Sequence, residues 1–370
     1  MADWLMGAVS AVWLGMPIWI WLAFLAFVLL ILAIDLGVFN KTPHVIDMRE
    51  SVKLAAFCVG LGWAFSAVVW YLYYTGVNTG GLDPHIAAAA TPRERAWTAF
   101  ELYLTGLVVE QTLSLDNIFV MSLIFGYFAI PQKYQHRVLF WGILGVIVLR
   151  ALMIGIGAAL IQNFHWVLYI FAAFLVFTGF KMLLKADSNP DIASNPILLW
   201  IRKRFRVTPT IEGDHFIIRR PHPETGKAVL WVTPLFVALV MIEFADLIFA
   251  VDSIPAIFAL TQDPFIVYTS NIFAVLGLRS LYFVLAAMVH RFEGLKYALA
   301  LVLIFIGSKI FVQPLVGKIP TEVSLGVTFA LLAGGIVYSL ATTRETSAET
   351  ETAHTQVEPV AVRVDSGRAE

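Results

Sequence analysis

The residues of this chain best suited to chemistry are carboxylates set inside apolar runs, and they are written twice. One stretch reads Glu110-Gln-Thr-Leu-Ser-Leu-Asp116-Asn117, followed by Leu149-Arg150 and by Phe177-Thr-Gly179-Phe-Lys181. About 130 residues later come Asp246-Leu-Ile-Phe-Ala-Val-Asp252-Ser253, Leu278-Arg279 and Phe305-Ile-Gly307-Ser-Lys309. In both copies an acid precedes an aspartate by six residues, and a small polar side chain follows it. Charge is costly in hydrocarbon, so a duplicated charged set inside apolar runs marks a functional position. The ligand atoms on offer are carboxylate, amide, hydroxyl and backbone carbonyl oxygens. There is no paired-histidine motif, and the single cysteine, Cys58, excludes a disulfide framework and any multi-cysteine metal site. Oxygen-only sets favour Mn²⁺, Mg²⁺ or Ca²⁺ over Cu⁺ or Zn²⁺. Carboxylates in a low-dielectric cavity can also exchange a proton for a metal ion, which points to a hard-cation carrier.

Helical geometry sorts these groups. At about 100° per residue, Glu110, Ser114 and Asn117 share one stripe, and Asp246 and Ser253 form its counterpart. Glu243 falls one turn before Asp246 and roughly 60° to the side, whereas Asp116 and Asp252 point about 120° away on regular helices. Pro255 removes a backbone donor three residues after Asp252, which predicts a helix broken at the aspartate with free carbonyls beside it. Against a ligand role stands charge neutralisation. Five acids (Glu110, Asp116, Glu243, Asp246 and Asp252) face four bases (Arg150, Arg279, Lys181 and Lys309), so some acids must be counterions. Lys181, near a helix end, is placed to reach the interface. The candidate metal ligands are therefore Glu110, Asp116, Asn117, Asp246, Asp252 and Ser253, with Glu243, Asn271 and Asp35 as additions. Asp35 reads equally as a helix-end charge, and Asn271 as a hydrogen-bonding partner of a neighbouring helix. His44, His136 and His290 lie in or beside basic links and read as solvated surface positions.

The elements that must hold this set are membrane helices. Hydrophobic residues make up 59% of the 370, charged residues only 14%, and the mean hydropathy is +0.80, far too apolar for a water-soluble domain. Nine apolar runs are long enough to span: roughly 17–39, 51–75, 97–128, 138–162, 166–185, 232–260, 266–290, 297–316 and 322–341. Lys and Arg concentrate after runs 1, 3, 5 and 7, so the positive-inside rule places the N-terminus outside and the C-terminus in the cytoplasm. Residues 1–341 form the transmembrane domain, and Trp19, Trp97, Trp166 and Tyr297 read as interface anchors. The large link 186–231 alternates over Asp214-His-Phe-Ile-Ile-Arg219, and Val229–Val232 is able to pair back on it as a β-hairpin. Its basic residues read as topology determinants and headgroup contacts. Residues 342–370 are polar and aperiodic, which predicts a disordered cytoplasmic tail. Each copy of the charged set covers three runs, about 97–185 and 232–316. Three is odd, so the copies must enter the membrane from opposite faces as inverted repeats. The expected fold is all-α and polytopic. Nothing favours a nucleic-acid partner, and HExxH, GxSxG and GxxxxGK[ST] are all missing, which argues against an enzyme.

Glu110–Phe119, His136-Arg-Val-Leu-Phe-Trp-Gly-Ile143, Asp246–Ala256 and Asn271-Ile-Phe-Ala-Val-Leu-Gly-Leu-Arg279 resemble the TerC/Alx family of bacterial membrane proteins, over about residues 17 to 341. The resemblance implies a multi-pass protein of the bacterial inner membrane linked to tellurite resistance. In the Alx branch it implies manganese export and an alkaline-pH response, with kinship to the LysE superfamily of exporters. The family's polar motif positions fall on Glu110, Asp116, Asn117, Asp246, Asp252 and Ser253. The expected cargo is then Mn²⁺, with no permanently bound cofactor, the lipid bilayer as surroundings and protein partners unspecified. The alternative expectation is a membrane scaffold of a stress-response complex, its inner charges being structural salt bridges and its basic link a docking surface.

Overall fold

The computed structural model describes residues 11–34, 48–77, 83–184, 192–221, 228–285, 295–317 and 323–339 apart from 325 and 336. Asp35, His44, His290 and the tail 342–370 lie outside the described residues, as do the side chains of Asp116 and Arg279. A two-residue ladder, β1 (Val12–Trp13) with β2 (Met16–Pro17), leads into α1 (Ile18–Ile34). There follow α2 (Met48–Tyr74), the short α3 (Pro84–Ala87), α4 (Pro92–Tyr127), α5 (Gln132–Asn163) and α6 (Val167–Leu184). The link holds α7 (Pro196–Arg204) and a hairpin of β3 (Ile217–Pro221) with β4 (Ala228–Val232), paired antiparallel with Ile217 opposite Val232. Then come α8 (Pro234–Leu260), α9 (Pro264–Leu285) and α10 (Leu295–Val316). A shorter apolar helix spans Gly326–Ser339.

The chain is an all-α polytopic membrane protein. Among the described residues six helices are long and apolar enough to cross a bilayer, and three shorter apolar helices, Ile18–Ile34, Pro264–Leu278 and Gly326–Ser339, overlap the remaining expected runs. Helices dominate because hydrocarbon offers no partner to a free N–H or C=O, so each crossing must satisfy its own backbone. Outward faces confirm the solvent they meet: Val148, Leu152 and Ile156, at i, i+4 and i+8 of α5, are 67, 59 and 52% exposed, an apolar stripe that water would not tolerate.

Local sequence sets several helix starts. Thr91 accepts from the Glu94 N–H while Glu94 accepts from the Ala90 N–H just before the cap, and Pro92 holds the first helical position of α4. Asp83 caps α3, and its other oxygen accepts from Thr261 Oγ1 at 2.6 Å and Gln262 N at 2.8 Å, tying this loop to the α8–α9 turn. Asp263 in turn caps α9. An aromatic cluster joins α1, α2 and α9, with Trp21 against Phe265 at 5.3 Å and Phe65 against Phe273 at 4.8 Å.

Two expectations are corrected. The α8 helix does not break at Asp252: it runs continuously from Pro234 to Leu260 through Pro255. Packing on α4, α5 and α6 holds the helix across the proline, which leaves one carbonyl, that of Val251, without its in-helix donor. His136 is not a solvated surface residue. It lies in the second turn of α5, buried, with its ring stacked 6.2 Å from Phe283 of α9.

The α6 and α10 helices approach closely, and the contact is reciprocal. A Cβ on Gly179 would meet the Ala300 carbonyl at 2.7 Å and the Ile304 side chain; a Cβ on Gly307 would meet the Ala172 carbonyl at 2.7 Å and the Val176 side chain. Each position of α6 recurs 128 residues later on α10 (172 and 300, 176 and 304, 179 and 307). In lipid, helices associate through such close backbone approaches, which only small residues allow.

Candidate functional site

Where α4, α5, α8 and α9 meet, Arg150 is buried to 1% exposure with carboxylates on two sides. Its Nη1 donates to Glu110 Oε1 and, at 2.5 Å, to Asn271 Oδ1. Its Nη2 donates to Asp246 Oδ1 at 3.0 Å and its Nε to Asp246 Oδ2 at 3.3 Å, a fork-to-carboxylate pairing. Asn117 Nδ2 also donates to Asp246 Oδ1, at 3.0 Å, and Ser253 Oγ donates to Glu110 Oε1 at 3.5 Å. The first acid of each copied motif thus bonds the last polar residue of the other. As the α4 number rises from 110 to 117, its partner on α8 falls from 253 to 246, so the two helices pack antiparallel through their polar stripes.

Beside this junction lies a cavity of about 280 Å³. Glu110, Ser114 and Asn117 line it from α4, Asp252, Ser253 and Phe249 from α8, Thr178 and Lys181 from α6, and Arg150 from α5. Three buried atoms of the α4 stripe, Glu110 Oε2, Ser114 Oγ and Asn117 Oδ1, have no hydrogen-bond partner among the described residues. Buried oxygens without partners are rare because each forfeits its hydration. All three residues line the cavity, and a carboxylate, a hydroxyl and an amide side by side are donors suited to a hard cation.

The candidate residues divide accordingly. Glu110, Asn117, Asp246, Ser253 and Asn271 are brought together around Arg150, and Asn271 acts as an interhelical hydrogen-bond partner. Asp246 spends both oxygens on Arg150 and Asn117, so it is a counterion. Asp252, half-buried, faces α6 instead and accepts from Thr178 Oγ1 at 3.3 Å. The 120° that separates the two aspartates on a continuous helix sends them to different neighbours. Glu243 lies outside the cavity, its carboxylate set against Gly145 of α5, where any Cβ would overlap it. Lys181, exposed in the last turn of α6, edges the cavity, whereas Lys309 is buried in α10 and does not line it. Asp116 sits on α4 and Arg279 on α9 by backbone position alone. Among the described residues, no three His, Cys, Asp or Glu side chains cluster as a ready-made metal cage, since Arg150 stands between Glu110 and Asp246.

Sequence reasoning missed Thr178 and Phe249. Thr178 adjoins the repeated Gly179 and so stood within a motif, but nothing one-dimensional aims its hydroxyl at Asp252. Phe249 is one apolar residue in an apolar helix, with no signal of its own.

Fold and site together define a multi-pass, all-helical membrane protein built around a buried ion-paired junction beside a polar cavity. The chain belongs to the TerC family of integral membrane proteins, whose model matches residues 95–347. It is 46% identical over 320 residues to an uncharacterized membrane protein of Rickettsia felis, covering 86% of this chain and 97% of that one. It is 42% identical over 325 residues to an uncharacterized membrane protein of Myxococcus xanthus (88% and 93%). It is 43% identical over 319 residues to the protein named putative membrane-bound redox modulator Alx in Escherichia coli K12 (86% and 92%). No solved structure matches.

Proposed function

We propose that this protein is a carrier that exports a hard divalent cation, Mn²⁺ foremost, across the bacterial inner membrane, with protons as the exchanged ion, and that it is not an enzyme. The observation that carries this reading is the stripe of buried oxygens without a partner among the described residues, Glu110 Oε2, Ser114 Oγ and Asn117 Oδ1, on residues that line a cavity whose other wall holds Asp252 and Ser253. A carboxylate, an amide and a hydroxyl suit a hard cation and offer nothing to a soft one. The Asp116 carboxylate belongs to the proposed ligand set by sequence position. Reciprocal bonding of the two motif copies supports inverted repeats with the site at their interface, the arrangement from which alternating access is built. Arg150 neutralises one of the Glu110–Asp246 pair, so this trio keeps a single net negative charge beside the cavity that Asp252 also lines.

The test is flux in proteoliposomes loaded with Mn²⁺, Mg²⁺ or Ca²⁺ at several pH values. Transport of Mn²⁺ with counter-movement of protons is expected, and Asp252→Asn should abolish it while the protein stays monodisperse. Full export by a well-folded Asp252→Asn variant would remove that residue from the path.

The pairing of Arg150 with both Glu110 and Asp246 favours one rival, a scaffold in a stress-response complex whose inner charges are structural. Under it, purified protein moves no metal, and replacing the link 186–231 by a neutral linker removes the cellular phenotype. Thiol redox chemistry, suggested by the Alx relatives' name, would rest here on Cys58 alone, which is buried. Loss of tellurite resistance in Cys58→Ser would support it.

A further inference from the structure

The polar cavity has a neighbour along the same groove. A second cavity, of about 190 Å³, is walled by Val120 and Ile124 of α4, Phe244 and Ile248 of α8, and Ile192 and Ile197 of the link. Because α4 and α8 are antiparallel, rising numbers on α4 and falling numbers on α8 lead the same way, toward the link. The polar cavity uses positions 110–117 of α4 and 249–253 of α8; the apolar one uses 120–124 and 241–249. About one helical turn, roughly 5 Å, divides them. Phe249 lines both.

We infer that Phe249 is the gate on the cation's route to the link side, its ring closing the polar cavity and the apolar cleft receiving the ring when the route opens. This rests on the cation-carrier reading above. The physical reason is desolvation. A cation leaving Asn117 and Asp252 toward the link meets an aromatic ring and then an apolar vestibule, and an apolar constriction bars ions for as long as it stays dry. Rotating the ring into the cleft both widens the constriction and brings the polar wall within reach of water. The cleft's apolar lining also suits a lipid tail, and a lipid seated there would hold the ring in place.

The experiment uses full-length protein carrying Cys58→Ser and Ser114→Cys, reconstituted in sealed vesicles with the β3–β4 hairpin facing the bath. A cationic, membrane-impermeant methanethiosulfonate is added outside, and the modification rate of the introduced thiol is measured. Adding Phe249→Ala should raise that rate roughly tenfold by removing the dry constriction. Adding Ala245→Trp, which fills the cleft, should lower it. Should Phe249→Ala fail to reconstitute, Phe249→Leu still shortens the side chain and should raise the rate several-fold. Equal rates in the ring-shortened, cleft-filled and parent proteins overturn the gate, whether because the ring is no barrier or because a lipid occupies the cleft. Thiol access needs no metal, so it judges the gate by itself. Mn²⁺ flux through the otherwise unsubstituted protein, measured in parallel, separately judges the carrier reading.

Discussion

Asp246 and Asp252 lie six residues apart on one helix, and their surroundings assign them opposite sensitivities. Asp246 holds Arg150 and Asn117 with both oxygens at 2% exposure. Asp246→Asn therefore leaves the guanidinium with Glu110 as its counter-charge but sets an amide N–H where a carboxylate oxygen accepted, a loss of roughly 1–3 kcal/mol. The expected result is aggregation or a strongly lowered unfolding temperature in detergent. Asp252 holds one hydroxyl at 3.3 Å and is only half-buried. Asp252→Asn should change stability by less than about 1 kcal/mol, so its effect will appear in flux. Thr178→Val removes that hydroxyl without changing shape, and a raised half-saturating Mn²⁺ concentration with an unchanged unfolding temperature is expected. The identities of the charged residues were legible from sequence because charge stands out against an apolar background. Their division into counterion and cavity wall was not, since five acids and four bases can pair in many ways until helix rotations are set.

Among elements, α6 and α10 make the sharpest prediction. Gly179 and Gly307 each face a backbone carbonyl at 2.7 Å from where a Cβ would stand. Gly179→Ala and Gly307→Ala should each force the helices apart, at about 1–3 kcal/mol apiece. Their effects should match, because each glycine meets the equivalent residues of the other helix. Thermal unfolding of the two variants side by side checks both the size and the equality. The spans themselves were legible from apolar run length, and the β3–β4 pairing rests on a local period-two alternation followed by turn residues. The continuity of α8 through Pro255 was not legible. Proline lowers helix stability locally, and only packing against three other helices decides whether the helix breaks.

Across the whole molecule, the link is fastened to the helices at the surface by an ion pair and a hydrogen bond. Arg137, near the start of α5, pairs with Asp214, and Arg202 reaches Tyr127 Oη at 3.4 Å. Exposed pairs contribute little, so Arg137→Ala should move stability by less than about 1 kcal/mol. Orientation is a second test at this scale. A fluorescent protein fused after residue 341 should light up in the cytoplasm, whereas an active alkaline phosphatase fusion at the same point would invert the proposed topology. The solvent, the helical class, the family and the chemical types at the site were all legible from the residue order, because hydropathy, charge and motif spacing need no contact between distant parts of the chain. Packing set Arg150 between Glu110 and Asp246, turned Asp252 to Thr178, and left three buried oxygens on cavity-lining residues without a partner among the described residues. Those outcomes depend on how helices far apart in sequence rotate and approach, and that is settled by packing them against one another.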